Sequence, residues 1–152
     1  MTARVDDDGG AWDAEIVGDV APLIPDGEYL VRYDGHDTAL AFKTGKVFLR
    51  FAIIDMGPYL DTKLFRPYRV RALVGRPGRG GKFTLARGSD LFKDLARLLD
   101  VTRRPDRISL HDLKGKVWRV RTRTVTHDYR QRELPEAARY SVIDTILCAE
   151  TG

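Results

Sequence analysis

"SDLFKDLARLL" (residues 89–99) is the one stretch of this chain with a clear helical period, and its place among the strands decides the fold. Leu91, Leu95, Leu98 and Leu99 fall on a single stripe, which makes one face of the helix apolar. Ser89 offers an oxygen to the unpaired N–H groups of the first turn, and Asp90 puts negative charge at the positive end of the helix dipole. The helix is expected to stop before Arg103-Arg104-Pro105, because proline lacks the donor and clashes with the preceding turn.

Outward from the helix, the flanking segments alternate with period two, the signature of strands. In the first, Tyr29, Val31 and Tyr33 alternate with Glu28, Leu30 and Arg32. In "KVFLRFAIID" (46–55), Val47, Leu49, Phe51 and Ile53 form an unbroken apolar face. "TKLFRPYRVRALV" (62–74) sets Leu64, Tyr68, Val70 and Ala72 opposite Phe65, Arg69 and Arg71. Pro67 inside it has no N–H to give, so a bulge or a sheet edge is expected there. Polar "DGHDTALAFKTGK" (34–46) reads as a connection, Met56-Gly57-Pro58-Tyr59 as a turn, and "GRPGRGGK" (75–82) as a flexible basic loop that continues into "KFTLARGSD".

After the helix, the turn "SLHDLKG" (109–115) leads into "KVWRVRTRTV" (116–125), with Trp118 and Val120 on its core side. The loop "HDYRQRELPEAA" (127–138) precedes a last strand, "RYSVIDTIL" (139–147). Three strands, one helix and two strands is the order of the five-stranded Greek-key barrel called the OB-fold, whose helix lies between strands 3 and 4. The expected class is therefore all-β with one helix. Residues 1–22 form an acidic, partly flexible arm in which Trp12, Ile16 and Val17 are spaced to dock, 23–148 the OB-fold domain, and 149–152 a tail.

The 152 residues suffice for one domain with a hydrophobic core. No apolar run approaches the roughly 18 residues of a membrane helix, and no secretory leader is visible, so the cytoplasm is the expected compartment. The net charge of +4 hides an asymmetry: residues 1–28 hold eight acids against Arg4, leaving the body strongly basic. Such a split points to a body that meets a polyanion.

Chemistry of bond-breaking finds little support. The loop at 75–82 lacks the first glycine of a Walker motif, where Arg76 stands, and Phe83 replaces the Ser or Thr after Lys82. His36, His111 and His127 are read in three separate loops or turns with no metal-ligand spacing. Cys148 is alone and reads as half-buried packing; Ser89 and Ser141 have structural roles; no carboxylate pair suggests acid–base work. The expectation is a non-enzymatic protein without metal or cofactor.

The basic and aromatic residues say more. Outward positions on the strands gather Phe48, Arg50, Phe65, Arg69 and Arg71, and then Arg119, Arg121 and Arg123. Loops add Lys43, Lys46, Arg76, Arg79, Lys82, Tyr129, Arg130 and Arg132. Cations that follow a backbone, interleaved with aromatics on which bases stack, are what single-strand binding needs. The strands neighbouring Arg119, Arg121 and Arg123 offer few acids (Glu28, Asp34, Asp144), so these arginines read as uncompensated and preorganised for an extended polyanion.

The segments "IPDGEYLVRY" (24–33), "GKVFLRFAIIDMGPYLDTKLFRPY" (45–68), "DLFKDLARLL" (90–99) and "LKGKVWRVRTRTV" (113–125) resemble a family of small phage and mobile-element proteins. The resemblance implies an OB-fold that binds single-stranded DNA with little sequence preference, in replication, transfer or recombination. The acidic arm and Pro67 depart from the family pattern, and "CAETG" (148–152) is too short for an acidic recruiting tip. Expected partners are single-stranded DNA, a replication or recombination protein, or a second copy of the chain, and no membrane. An RNA-binding module of the same fold and a scaffold for an acidic protein stay open as alternatives.

Overall fold

The computed structural model describes residues 22–41, 43–86, 88–99, 109–128 and 130–150. Seven strands and one α-helix are found among them: β1 (Glu28–Ala41), β2 (Thr44–Ile53), β3 (Lys63–Arg69), β4 (Ala72–Val74), β5 (Lys82–Thr84), α1 (Asp90–Leu98), β6 (Val117–Val125) and β7 (Tyr140–Glu150). Short 3-10 turns at Leu110–Leu113 and Glu136–Ala138 precede β6 and β7.

Five strands form one antiparallel sheet in the order β3-β2-β1-β6-β7, and β4 and β5 form a separate hairpin. Period-two burial is as expected on β2, where Val47, Leu49, Phe51 and Ile53 are all sealed from solvent. Trp118 and Val120 of β6 complete that layer, and the Trp118 indole N–H donates to the Leu113 carbonyl at 3.3 Å. Replacing Trp118 by alanine removes the largest buried side chain, at a cost of about 3–5 kcal/mol.

Several boundaries differ from the sequence reading. The polar segment 34–41 is no connection but the second half of β1, a strand of 14 residues. A bulge between Tyr33 and Gly35 reverses its alternation, so Val31 and Tyr33 face the core before it, and Thr38 faces the core after it. Gly35, at φ 131°, is needed there: a Cβ would lie 2.7 Å from Arg50 Nη2. The expected third strand breaks after Arg69, and "KFT" (82–84), read as loop, pairs with Ala72–Val74. Pro67 lies on the edge strand β3 with no register shift, so of the two options the edge is realised and the bulge is not.

The glycine-rich loop is anchored rather than free. Thr38 N–H donates to the Gly78 carbonyl (2.9 Å) and Gly80 N–H to the His36 carbonyl (2.8 Å), so the loop covers the edge of β1. Gly81 passes so close to Thr38 Oγ1 that no side chain fits.

The helix is capped as its sequence implies: Ser89 Oγ accepts from Phe92 N–H at 3.2 Å, and Leu91 and Leu95 are buried. It sits across the two sheet edges. β3 and β7 run parallel, since four antiparallel pairings separate them, and they come within 8 Å Cα–Cα without a ladder among the described residues. A polar relay spans the seam. Tyr68 O–H donates to Asp94 at 2.6 Å, and Arg97 donates to the Ile146 and Leu147 carbonyls at 2.7 and 3.2 Å. Burial, then the Asp94 carboxylate, pushes the Tyr68 phenol well above its ordinary pKa, so the bridge stays protonated. A hydrogen-bonded, closed barrel is thus not found among the described residues; five antiparallel strands, a small hairpin and one helix are.

At the start of the described chain, the buried Ser141 hydroxyl accepts from Ile24 N–H and donates to the Ile24 carbonyl. β7 runs to Glu150, past the expected strand end, and Cys148 is exposed rather than half-buried. No helix among the described residues is long and apolar enough to cross a membrane.

Candidate nucleic-acid interface

Alternation along β6 turns Arg119, Arg121 and Arg123 outward, as expected, but they are not uncompensated. Arg119 lies 3.2 Å from Glu150 and 3.9 Å from Glu28, Arg121 3.3 Å from Glu28, and Arg123 3.1 Å from Asp144. Glu28 stands directly opposite Arg121 on β1, and Glu150 reaches Arg119 only because β7 is longer than its sequence suggested. Three arginines meet three carboxylates, so the row carries no net charge. Its hydrogen bond to Arg119 holds the Glu150 carboxyl below its ordinary pKa, and that carboxylate in turn pushes the Cys148 thiol up. Each such exposed pair contributes about 0–1 kcal/mol to stability.

Arg50 is also committed. Its side chain is only 11% exposed, with Nε 3.0 Å from Asp34 and Nη1 2.7 Å from Asp37. Arg32 (3.2 Å) and Lys63 (3.3 Å) share Asp34. Burial works against the Arg50 charge, but the hydrogen bonds to Asp37 and Asp34 prevail and raise its pKa. Burial would raise the pKa of Asp34, and the hydrogen bonds from Arg50 and Lys63 outweigh it, so the carboxyl sits below its ordinary value. Arg50 therefore holds the β1 bulge to β2, which is a structural duty.

A second group of cations has no carboxylate partner among the described residues. On the outer face of β2 and β3, Lys46 stands opposite Arg69, Phe48 opposite Pro67, and Arg50 opposite Phe65. Phe48, Phe65 and Pro67 are half-buried, Lys46 likewise, and Arg69 is exposed. The diagonal neighbours Phe48 and Phe65 thus share one face, flanked at its far end by two unpaired cations. Arg71 follows directly after Val70, whose N–H donates to the Gly45 carbonyl at 3.0 Å. Lys43 lies in the β1–β2 turn, and Arg76, Arg79 and Lys82 ride on the β4–β5 hairpin, whose Leu73 packs near Gly45. These residues gather at the hairpin end of β1.

Arg130 and Arg132 do not join them. Their backbone N–H groups donate to Asp128 at 2.8 and 3.0 Å, in the loop beyond β6 and at the opposite end of β1. Tyr129 lies outside the described residues, as does the arm up to residue 21 with Trp12, Ile16 and Val17.

His36, read as a loop residue, is on β1, and its ring Nε2 lies 2.8 Å from the Gly81 carbonyl. Both His36 and His111 border one cleft at the β1 edge, a proximity that their sequence positions did not suggest. Among the described residues no group of three or more His, Cys, Asp or Glu is arranged to hold a metal ion. In comparisons with known proteins, no family model, no curated protein and no solved structure matches this chain.

Proposed function

We propose that this chain is a non-catalytic, OB-like protein that binds single-stranded DNA with little sequence preference, of the kind that serves replication, transfer or recombination of a phage or mobile element. The carrying observation is the pairing of Phe48 and Phe65 on one outer face with Lys46 and Arg69, which no carboxylate neutralises among the described residues. Half-exposed rings held on adjacent rigid strands offer stacking platforms at little ordering cost, each worth about 1–3 kcal/mol per base. Arginine and lysine beside them meet the phosphates, Arg69 with a planar fork. The basic hairpin at 76–82 extends this surface, and the neutral β6 row lies outside it.

Support for the barrel reading comes from the strand order, the parallel approach of β3 to β7 and the helix seated across that seam. The motifs at 24–33, 45–68, 90–99 and 113–125 support the mobile-element reading.

Fluorescence anisotropy with a labelled oligothymidylate tests this. With about four phosphate contacts, affinity falls on the order of 50-fold between about 50 and 200 mM salt. Matched RNA run in parallel reads the sugar preference. Absence of binding to either strand at low salt would overturn the proposal.

A further inference from the structure

β1 is too long for the strand beside it. The ladder with β6 covers Glu28 to Arg32, the glycine-rich loop covers His36 to Thr38, and the edge at Tyr33 to Gly35 between them meets neither. The notch so formed has a volume of about 340 Å³ and is closed on its far side by the 3-10 turn Leu110–Leu113. That volume lies at the small end of ligand pockets.

The charged side chains in the lining are Arg50, Arg79 and Lys114. His36 and His111 also border the notch, and no carboxylate does. Arg79 and Lys114 have no carboxylate partner among the described residues, whereas the donors of Arg50 are already used by Asp34 and Asp37. Ser109 Oγ accepts from His111 N–H at 3.1 Å, which leaves its own proton to give.

The decisive group is Tyr33. It is 6% exposed and borders the notch, yet its hydroxyl has no hydrogen-bond partner among the described residues. It is not sealed either, since the one buried unpartnered side-chain polar atom among the described residues is Arg66 Nε. Tyr33 and Arg50 both border the notch. Burial pushes the Tyr33 pKa up to about 12, so the phenol is a neutral O–H donor at any ordinary pH. A phenol O–H that opens onto the notch with no protein acceptor among the described residues is free to donate to the oxygen of a bound group.

We propose that this notch is a phosphate-binding site that takes a phosphate monoester, held by the Tyr33 hydroxyl, Lys114, Arg79 and Ser109. A monoester fits better than a chain-internal diester, because the β6 ladder and the glycine loop block both ends along β1 and a dianion gains more from several cations. Where the single-strand reading holds, the monoester is the terminal phosphate of the bound strand; the notch itself does not depend on that reading.

The test compares oligothymidylates ending in a 5′-phosphate, a 3′-phosphate or hydroxyls, together with free thymidine monophosphate. A terminal phosphate at one end is expected to strengthen binding about 10-fold. Tyr33→Phe, which removes one unpartnered oxygen and leaves the core packed, and Lys114→Ala each erase most of that gain while hydroxyl-ended strands bind within about twofold of wild type. Equal affinity for all three strands, or a gain that survives both substitutions, would overturn the site. Should no oligonucleotide bind, the single-strand reading falls and the notch is judged by the nucleotide alone. Amide shifts at Gly80 and Lys114 on adding thymidine monophosphate, lost in Tyr33→Phe, support it, and unchanged spectra at about 10 mM refute it.

Discussion

Two basic regions of this molecule look alike as sequence and differ as structure. The row Arg119, Arg121 and Arg123 puts an arginine at every second position, yet each guanidinium rests on a carboxylate of β1 or β7. On the face of β2 and β3, Arg50 and Lys63 are tied to carboxylates of β1, but Lys46 and Arg69 lack acidic neighbours among the described residues and stand beside two aromatic rings. Binding of a polyanion follows the charge left over after pairing, not the charge counted along a strand. An exposed ion pair is weak, but an arginine drawn from it gains a phosphate only by abandoning a carboxylate, so the net gain is small.

The largest effect should come from the aromatic pair. Phe48→Ala with Phe65→Ala is expected to weaken oligothymidylate binding on the order of 100-fold in an anisotropy titration, with thermal stability changed far less than by a core truncation. Lys46→Glu with Arg69→Glu comes next: the slope of log affinity against log salt should flatten by about 1.4, or 0.7 per lost contact on a single strand. Replacing Arg119, Arg121 and Arg123 by alanine should weaken binding less than either change above, because these arginines are already engaged by carboxylates and the three acids left exposed act on the strand only at a distance that salt screens. A larger loss would break the contrast between the two regions. Glu28→Gln with Glu150→Gln sharpens it from the other side, since freeing Arg119 and Arg121 should raise affinity by about twofold to fivefold at low salt.

The smallest expected effect concerns pH. The Asp34 carboxyl sits below its ordinary pKa in the fold, so its contribution to stability is present above the unfolded value and is lost as pH falls through the folded one. Asp34→Asn should therefore destabilise the protein at neutral pH by about 1 kcal/mol. That penalty should fade below about pH 3.8, as followed by urea unfolding at several pH values.

Much of this was legible because strands that bury one face alternate. Val47, Leu49, Phe51 and Ile53, and Trp118 with Val120, announced their side of the sheet, and Ser89 announced its helix. The second half of β1 was not legible, since the bulge at Tyr33–Gly35 shifts the alternation by one residue. "DGHDTALA" then shows neither face as apolar: one side carries Asp37 to Arg50, and the other carries Thr38 to the glycine loop. The β4–β5 hairpin escaped because three-residue strands hold too few periods to read. Of the candidate site, Phe48, Phe65, Lys46 and Arg69 share a face because they share an alternation. The neutralisation of Arg119 depends on Glu150, and that contact depends on how far β7 runs, which composition does not encode. Tyr33 read only as one position of an alternating strand, since nothing in sequence tells that a phenol will be left without a partner.

The central claim is that single-stranded DNA lies on the β2–β3 face. Photocrosslinking a 5-iododeoxyuridine oligonucleotide and mapping the adduct by mass spectrometry tests it most directly, because that base reacts with the ring on which it stacks. The account predicts adducts on Phe48 or Phe65, lost when the crosslinked ring is replaced by alanine. Adducts confined to residues 117–125, or no complex at low salt, would contradict it.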